Sequence, residues 1–202
     1  IRRCWMSEET FDLKKDPDET LIDVKTITKK VYTVYIDEIV NEASYYRKLF
    51  NIMRDANTED EIHFIFNSPG GYVDTMSQLA YYLTSTKATT VAEVHQACSA
   101  ASFAALHCDK IEVKKHGYMM FHSLISGVFG KAGEMKSAAD FLHKQDKLYS
   151  EVNKNFLTAK ELSDIENGMD IFIDEEECNK RLKGWVSLRK RTAEIPAKEK
   201  KK

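Results

Sequence analysis

The sequence predicts an α/β domain built on a largely parallel sheet flanked by helices. Two observations carry this. From Val31 onward, short runs of β-branched and aromatic residues alternate with segments of helical periodicity, and that alternation is the signature of a parallel sheet with crossover helices. The chain, at 202 residues, is also the length of one domain with short terminal extensions, able to bury roughly 70% of its unfolded surface. No internal repeat or low-complexity segment interrupts this region.

Residues 1–30 are charged, weakly patterned and broken by Pro17; they read as an extended arm with a short strand near 21–26. Val31–Ile36 reads as a buried strand. Asn41 is placed to cap a helix carrying Tyr46, Leu49, Phe50 and Met53. A second strand, 62–66, is stopped by the Ser68-Pro69-Gly70-Gly71 turn. A helix through Met76, Leu79, Ala80 and Leu83 follows, then a strand at 89–94 and a small-residue helix at 99–108. Two further strands are expected at 111–113 and 118–121. Residues 131–156 read as the longest helix, nearly 40 Å at about 1.5 Å per residue, long enough to project beyond the domain. Thr158-x-x-Glu161 is a capping box, and Asp174 caps a last helix that stops at Gly184. The expected organisation is an arm (1–30), a core domain (31–188) and a basic, disordered tail (189–202).

Composition narrows the function classes. Net charge is −2, which leaves no electrostatic footprint for nucleic acid. The tail holds about +5 and the rest about −7, counted as charged residues. Four cysteines without a CxxC pair suit a reducing compartment, so a cytoplasmic location is expected. No apolar run approaches the roughly 18 residues of a bilayer span, so no membrane partner is expected. The chain begins at Ile1, as a processed or trimmed product would.

Three segments could do chemistry together. The turn Asn67-Ser68-Pro69-Gly70-Gly71 can present backbone amides to an anion, because its glycines permit positive φ and close approach. Ser99 follows a strand and opens the helix of Ala100, Ala101, Ser102, Ala104 and Ala105, where free N–H groups favour developing negative charge. Ser102 is a rival one turn further in. His122 ends the apolar run 118–121, at the strand end where a parallel sheet places reactive groups. A nucleophile, a base and an oxyanion hole are what a serine hydrolase needs. An acid to orient the imidazole could be Asp140, Asp146, Asp164, Asp170 or Asp174. Asp170 is preferred, since Ile171-Phe172 would hold it against the core, whereas Asp174 is explained as a cap. The six histidines form no HxH or HxxxH pair, so neither a metal nor another cofactor is expected.

On these residues the chain resembles the proteolytic subunit of the Clp protease, the ClpP family of serine peptidases, over roughly 31–185. The family's Asn-Ser-Pro-Gly-Gly turn stands here as 67–71. Its nucleophile segment is matched by His95-Gln96-Ala97-Cys98-Ser99-Ala100-Ala101, its histidine segment by Met120-Phe121-His122-Ser123-Leu124, and its acid segment by Met169-Asp170-Ile171-Phe172. The stretch leading into the family's handle helix is matched by Ser126-Gly127-Val128-Phe129-Gly130-Lys131. The resemblance implies a ClpP/crotonase-like fold and a serine endopeptidase with Ser99 as nucleophile, His122 as base and Asp170 as acid. The amides of Gly71 and Ala100 would form the oxyanion hole. It also implies peptide or unfolded-protein substrates, two stacked homo-oligomeric rings, heptameric by resemblance, and an AAA+ unfoldase partner. His95 and Ala101 replace glycines of the family, Leu124 replaces a proline, and His63 and Ile65 occupy the places of its partner-docking tyrosines. A non-catalytic ring subunit and a crotonase-type acyl-CoA enzyme are the alternative readings.

Overall fold

The computed structural model describes residues 28–38 and 40–185. Its five strands are β1 (Val31–Ile36), β2 (Glu61–Ser68), β3 (Thr89–Cys98), β4 (Lys110–Phe121) and β5 (Ile171–Asp174), in the spatial order β1-β2-β3-β4-β5. The first four are parallel, and β5 runs antiparallel to β4. The helices are α1 (Arg47–Asp55), α2 (Val73–Ser85), α3 (Ala100–Ala105), α4 (Ala132–Asn153), α5 (Ala159–Glu166) and α6 (Glu175–Arg181). The chain is thus a mixed α/β domain with a five-stranded sheet flanked by helices. The strand expected at 21–26, most of the arm and the basic tail lie outside the described residues.

The strands are half-buried rather than buried on both faces. Along β2, Ile62, Phe64 and Phe66 are fully buried while Glu61, His63 and Ile65 point to the other face. β1 alternates likewise, with Val31 and Tyr35 exposed, which corrects the buried-strand expectation. The second face is polar: Glu61 meets Lys29 and His63, and Glu93 meets His95 and Lys114. The core lies on the first face, where Phe64, Phe66 and Phe121 pack with Met53 of α1, Met76, Leu79 and Leu83 of α2, and the alanines of α3. Phe50 stacks on Tyr82 at 4.8 Å, pinning α1 to α2.

Several elements differ from expectation for local reasons. A single twelve-residue strand replaces the two short ones, carried through an irregularity where the β3–β4 register shifts between Val94 and Gln96. His116 takes φ 68° there, and a Cβ on Gly117 would lie 2.7 Å from the Val94 carbonyl oxygen. Asn41 caps nothing: a 3₁₀ turn, Ala43–Tyr46, precedes α1. α4 has 22 residues, about 33 Å at 1.5 Å per residue, and gives way to turns at 154–156. The Thr158/Glu161 capping box and the Asp174 cap both form.

β4 has two different neighbours on its outer edge. Tyr118–Phe121 pairs with β5. Nearer its start, Asn179 of α6 substitutes for a strand: its Oδ1 accepts from the Val113 N–H at 3.1 Å and its Nδ2 donates to the Val113 carbonyl at 2.8 Å. An edge that would otherwise present unpaired backbone is covered there.

Candidate functional site

The C-terminal ends of β2, β3 and β4 converge on one cleft, as the parallel arrangement dictates. β2 ends at Ser68, whose hydroxyl donates to the Glu38 carbonyl and accepts from the Gly70 N–H at 3.2 Å. That fixes the turn. Gly70 takes φ 106°, and a Cβ there would lie 2.8 Å from both the Cys98 carbonyl oxygen and Ser99 Cβ. Only glycine lets this turn press so closely on the Ser99 backbone. Val40 bridges the turn, donating to Gly70 O and accepting from Tyr72 N–H at 2.9 Å.

Ser99 sits between β3 and α3 with φ 54° and ψ −119°, a conformation that costs a non-glycine residue free energy. Its N–H donates to Met120 O at 2.9 Å, and its carbonyl accepts from the Phe103 N–H and from Ser102 Oγ. The strained bend is therefore held by β4 on one side and by the first turn of α3 on the other. Ser102, the rival serine, is buried, and its hydroxyl reaches both Ser99 O (2.7 Å) and Met120 O (3.0 Å). The Ser99 hydroxyl has no hydrogen-bond partner among the described residues. The Gly71 and Ala100 amides likewise donate to no group there.

Ser99, Ala100 and His122 line the same cleft with Val73, Met76, Ser102, Phe103, Phe121, Leu124, Tyr149 and Asn153. Tyr149 is held by a 2.7 Å hydrogen bond with Ser77 and a T-shaped contact with Phe103 at 4.5 Å; burial pushes its phenol pKa upward. Gly71 lies on a second, open groove of about 810 Å³ that adjoins the cleft at Val73 and Leu124. Tyr72, Ile125, Ala138, Phe141 and Leu142 give that groove apolar walls, with Asp74 at its side. Leu124, Ile125 and Ser126, in the segment between β4 and α4, also line it. There Leu124 N–H donates to Asp146 Oδ1 at 3.0 Å and Ser123 Oγ to Ile165 O at 2.9 Å. Among the described residues, the amides of residues 125–130 donate to nothing.

The acids are dispersed. Asp146 anchors Leu124, Asp164 pairs with Lys160, Asp174 caps α6, and Asp140 lies with His143, Lys144 and Lys147 on an outer face of α4. Asp170 is exposed and stands one residue before the last β4–β5 pair, Phe121↔Ile171, as His122 stands one residue after it. No hydrogen bond or ion pair joins Asp170 to His122, or His122 to Ser99, among the described residues. Ser99, His122 and Ala100 are thus brought together, Gly71 faces the adjoining groove, and Asp170 stays on the surface. Tyr149 and Asn153 were missed as site residues. Tyr149 lay within the helical periodicity of α4, and nothing in the sequence around Asn153 marks it.

Fold and cleft together define an α/β domain with a serine at a strained strand-to-helix bend, beside a glycine turn. The family model described as NfeD1b, N-terminal domain, matches residues 30–193, and the chain belongs to that family. No curated protein matches the sequence.

This membership corrects the resemblance drawn from the motifs. The family is not ClpP, so the Clp endopeptidase assignment falls. With it go the proteolytic chamber and its peptide substrates, the stacked rings and the AAA+ partner, and the family match gives no support to the alternatives of an inert ring subunit or an acyl-CoA enzyme. The physical reason is that the shared features are local. A glycine turn after β2, a serine at the start of α3 and a histidine at the end of β4 are what the ends of adjacent parallel strands can present in more than one family.

Proposed function

We propose that this domain is a docking module that receives an extended segment of a partner polypeptide along the groove between α2, α4 and residues 123–131. The observation that carries this is an apolar groove adjoining the Ser99 cleft, lined by Ile125 and Ser126, whose amides, like those of 127–130 that follow them in the chain, have no partner among the described residues. Unpaired main-chain groups beside an apolar trough are what an incoming strand satisfies, its backbone supplying affinity and its side chains specificity. At the Ser99 end, the amides of Gly71 and Ala100 would take a carbonyl oxygen, with the Ser99 hydroxyl and His122 imidazole as the remaining polar groups. Asp170 stands as an outer candidate, across the strand pair from His122. Those five residues make up the proposed site. In this reading the core domain spans 31–188, and its finer fold is a ClpP/crotonase-like arrangement with α4 as the handle.

The test is fluorescence anisotropy with a fluorescein-labelled, acetylated heptapeptide of alternating leucine and serine. Saturable binding is expected, and Phe141→Glu, at a position 62% exposed, is expected to weaken it at least tenfold while leaving the fold intact. Val128→Pro, which removes one of the unpaired amides following Ser126, should also weaken it. No saturable binding, or equal binding by both variants, would sink the proposal.

A further inference from the structure

The groove between α2 and α4 carries a single charge. Among the described residues, Asp74 is the only charged one in its lining. It stands exposed in the first turn of α2, where it accepts no hydrogen bond and joins no ion pair among the described residues. Ser77, one turn further along α2, is committed to the Val73 carbonyl and the Tyr149 hydroxyl. Burial pushes the Tyr149 phenol pKa up, and the negative charge of Asp74 adds to that rise. Tyr149 lines the Ser99 cleft and Ser77 the groove, so the field of the carboxylate falls where the two meet.

An acid in the first turn of a helix is favoured by the helix dipole alone, so its position does not by itself call for a ligand. Its surroundings do. A chain segment laid along an apolar groove strips part of the hydration from any carboxylate there, and a cation on that segment offsets the loss. Two aromatic residues of the same lining remain open to contact, Tyr72 at 55% and Phe141 at 62% exposure. A guanidinium suits this combination better than an ammonium. It is planar, offers paired N–H donors to a carboxylate, stacks on aromatic faces and is the more weakly hydrated of the two. We infer that the segment docked in the groove carries an arginine that pairs with Asp74. This rests on the docking reading above and names the side chain by which the partner is recognised.

The experiment compares arginine with citrulline, which share length and planar shape and differ in charge. In the labelled leucine–serine heptapeptide each serine in turn is replaced by one or the other. Affinities are measured by anisotropy for the wild type, Asp74→Asn and Asp74→Glu. At one position arginine should bind the wild type about fivefold more tightly than citrulline at low salt, as a partly exposed ion pair allows. That preference should fade in about 1 M salt, where charges are screened beyond about 3 Å. It should vanish in Asp74→Asn and persist in Asp74→Glu, which keeps the charge. If Asp74 serves only the dipole of α2, Asp74→Asn lowers the melting temperature and leaves the arginine preference untouched, and that result overturns the inference. Equal affinities for arginine and citrulline at every position overturn it while leaving docking in place. Peptide binding that weakens as protein concentration rises would seat a second copy in the groove and overturn it too. Absence of binding by every peptide overturns docking, and this inference with it.

Discussion

Ser102 Oγ donates to two carbonyls, whereas the Ser99 hydroxyl has no protein partner among the described residues. Substituting the two serines should therefore have unequal effects on urea unfolding. Ser102→Ala removes a buried hydroxyl that ties Ser99 O and Met120 O together and should cost about 1–2 kcal/mol. Ser99→Ala should change stability by less than about 0.5 kcal/mol. Ser99→Gly relieves the φ 54° conformation and should stabilise by about 1 kcal/mol. A loss of stability in Ser99→Gly would show that the bend is not strained. Gly70→Ala should be the most damaging of the set, about 2 kcal/mol or more, because its Cβ would strike the Cys98 carbonyl and Ser99 Cβ. At this scale the sequence was partly legible. Ser99, His122 and the glycine turn could be picked out, since proline, paired glycines and a serine before an alanine run are strong local signals. Asn153 could not, because an amide near a helix end reads like any other polar residue until the fold shows what surrounds it.

Helices α5 and α6 are joined by one ion pair. Arg181 reaches Glu161 with two nitrogens, Nη1 to Oε2 at 2.9 Å and Nη2 to Oε1 at 2.8 Å, and also contacts Glu177. Glu161 also closes the capping box on Thr158. The Arg181 guanidinium pulls the Glu161 carboxyl down from 4.5 to about 2, against the opposing effect of burial. A carboxyl depressed in the folded state stabilises above its unfolded value and loses that contribution as pH falls through the folded value. The contribution should be complete above about pH 4.5 and fade toward pH 2, amounting to about 1–2 kcal/mol after solvent screening. Acid titration of unfolding in the wild type and Arg181→Met checks this: the variant should lose less stability between those pH values. If the two curves run parallel, the pair contributes nothing. Thr158→Ala should cost about 1 kcal/mol through the lost cap. This capping box and the Asp174 cap were legible because their spacing is fixed by helix geometry. β5 was not recognised as a strand: four residues pressed against a helix cap are too short for alternation to register, and only pairing with β4 makes them one.

For the whole molecule, the alternation of strands and helices was enough to foresee an α/β domain with a mostly parallel sheet. The sequence did not disclose that one face of that sheet is charged and half-exposed, because Val31, Tyr35 and Ile65 dilute the polar side of the pattern. Family membership was also beyond the motifs. Turn, serine and histidine are three short local segments, whereas the NfeD1b match extends across 30–193. The docking groove is likewise a property of the assembled molecule, since α2 is far in sequence from α4 and the segment that leads into it, and the fold alone brings them face to face. Hydrogen exchange should distinguish a groove from a closed surface: with the leucine–serine heptapeptide bound, the amides at 125–130 should slow at least tenfold while those of β1 remain unchanged. Protection spread evenly over the domain would instead indicate general tightening.

The strict succession β1-β2-β3-β4-β5 has a consequence for how the domain is made. Each new strand joins the free edge left by the strand before it, so the sheet can grow in the order in which the ribosome delivers it. The turn at Gly70 and the bend at Ser99 emerge early, but the bond from Ser99 N–H to Met120 O needs the end of β4. A nascent chain that stops after α3 would hold Ser99 on an unsupported bend, and the cleft would take shape only when β4 docks. Pulse-labelling during refolding should therefore find the Ser99 amide protected together with β4, and later than the amides that pair β2 with β3.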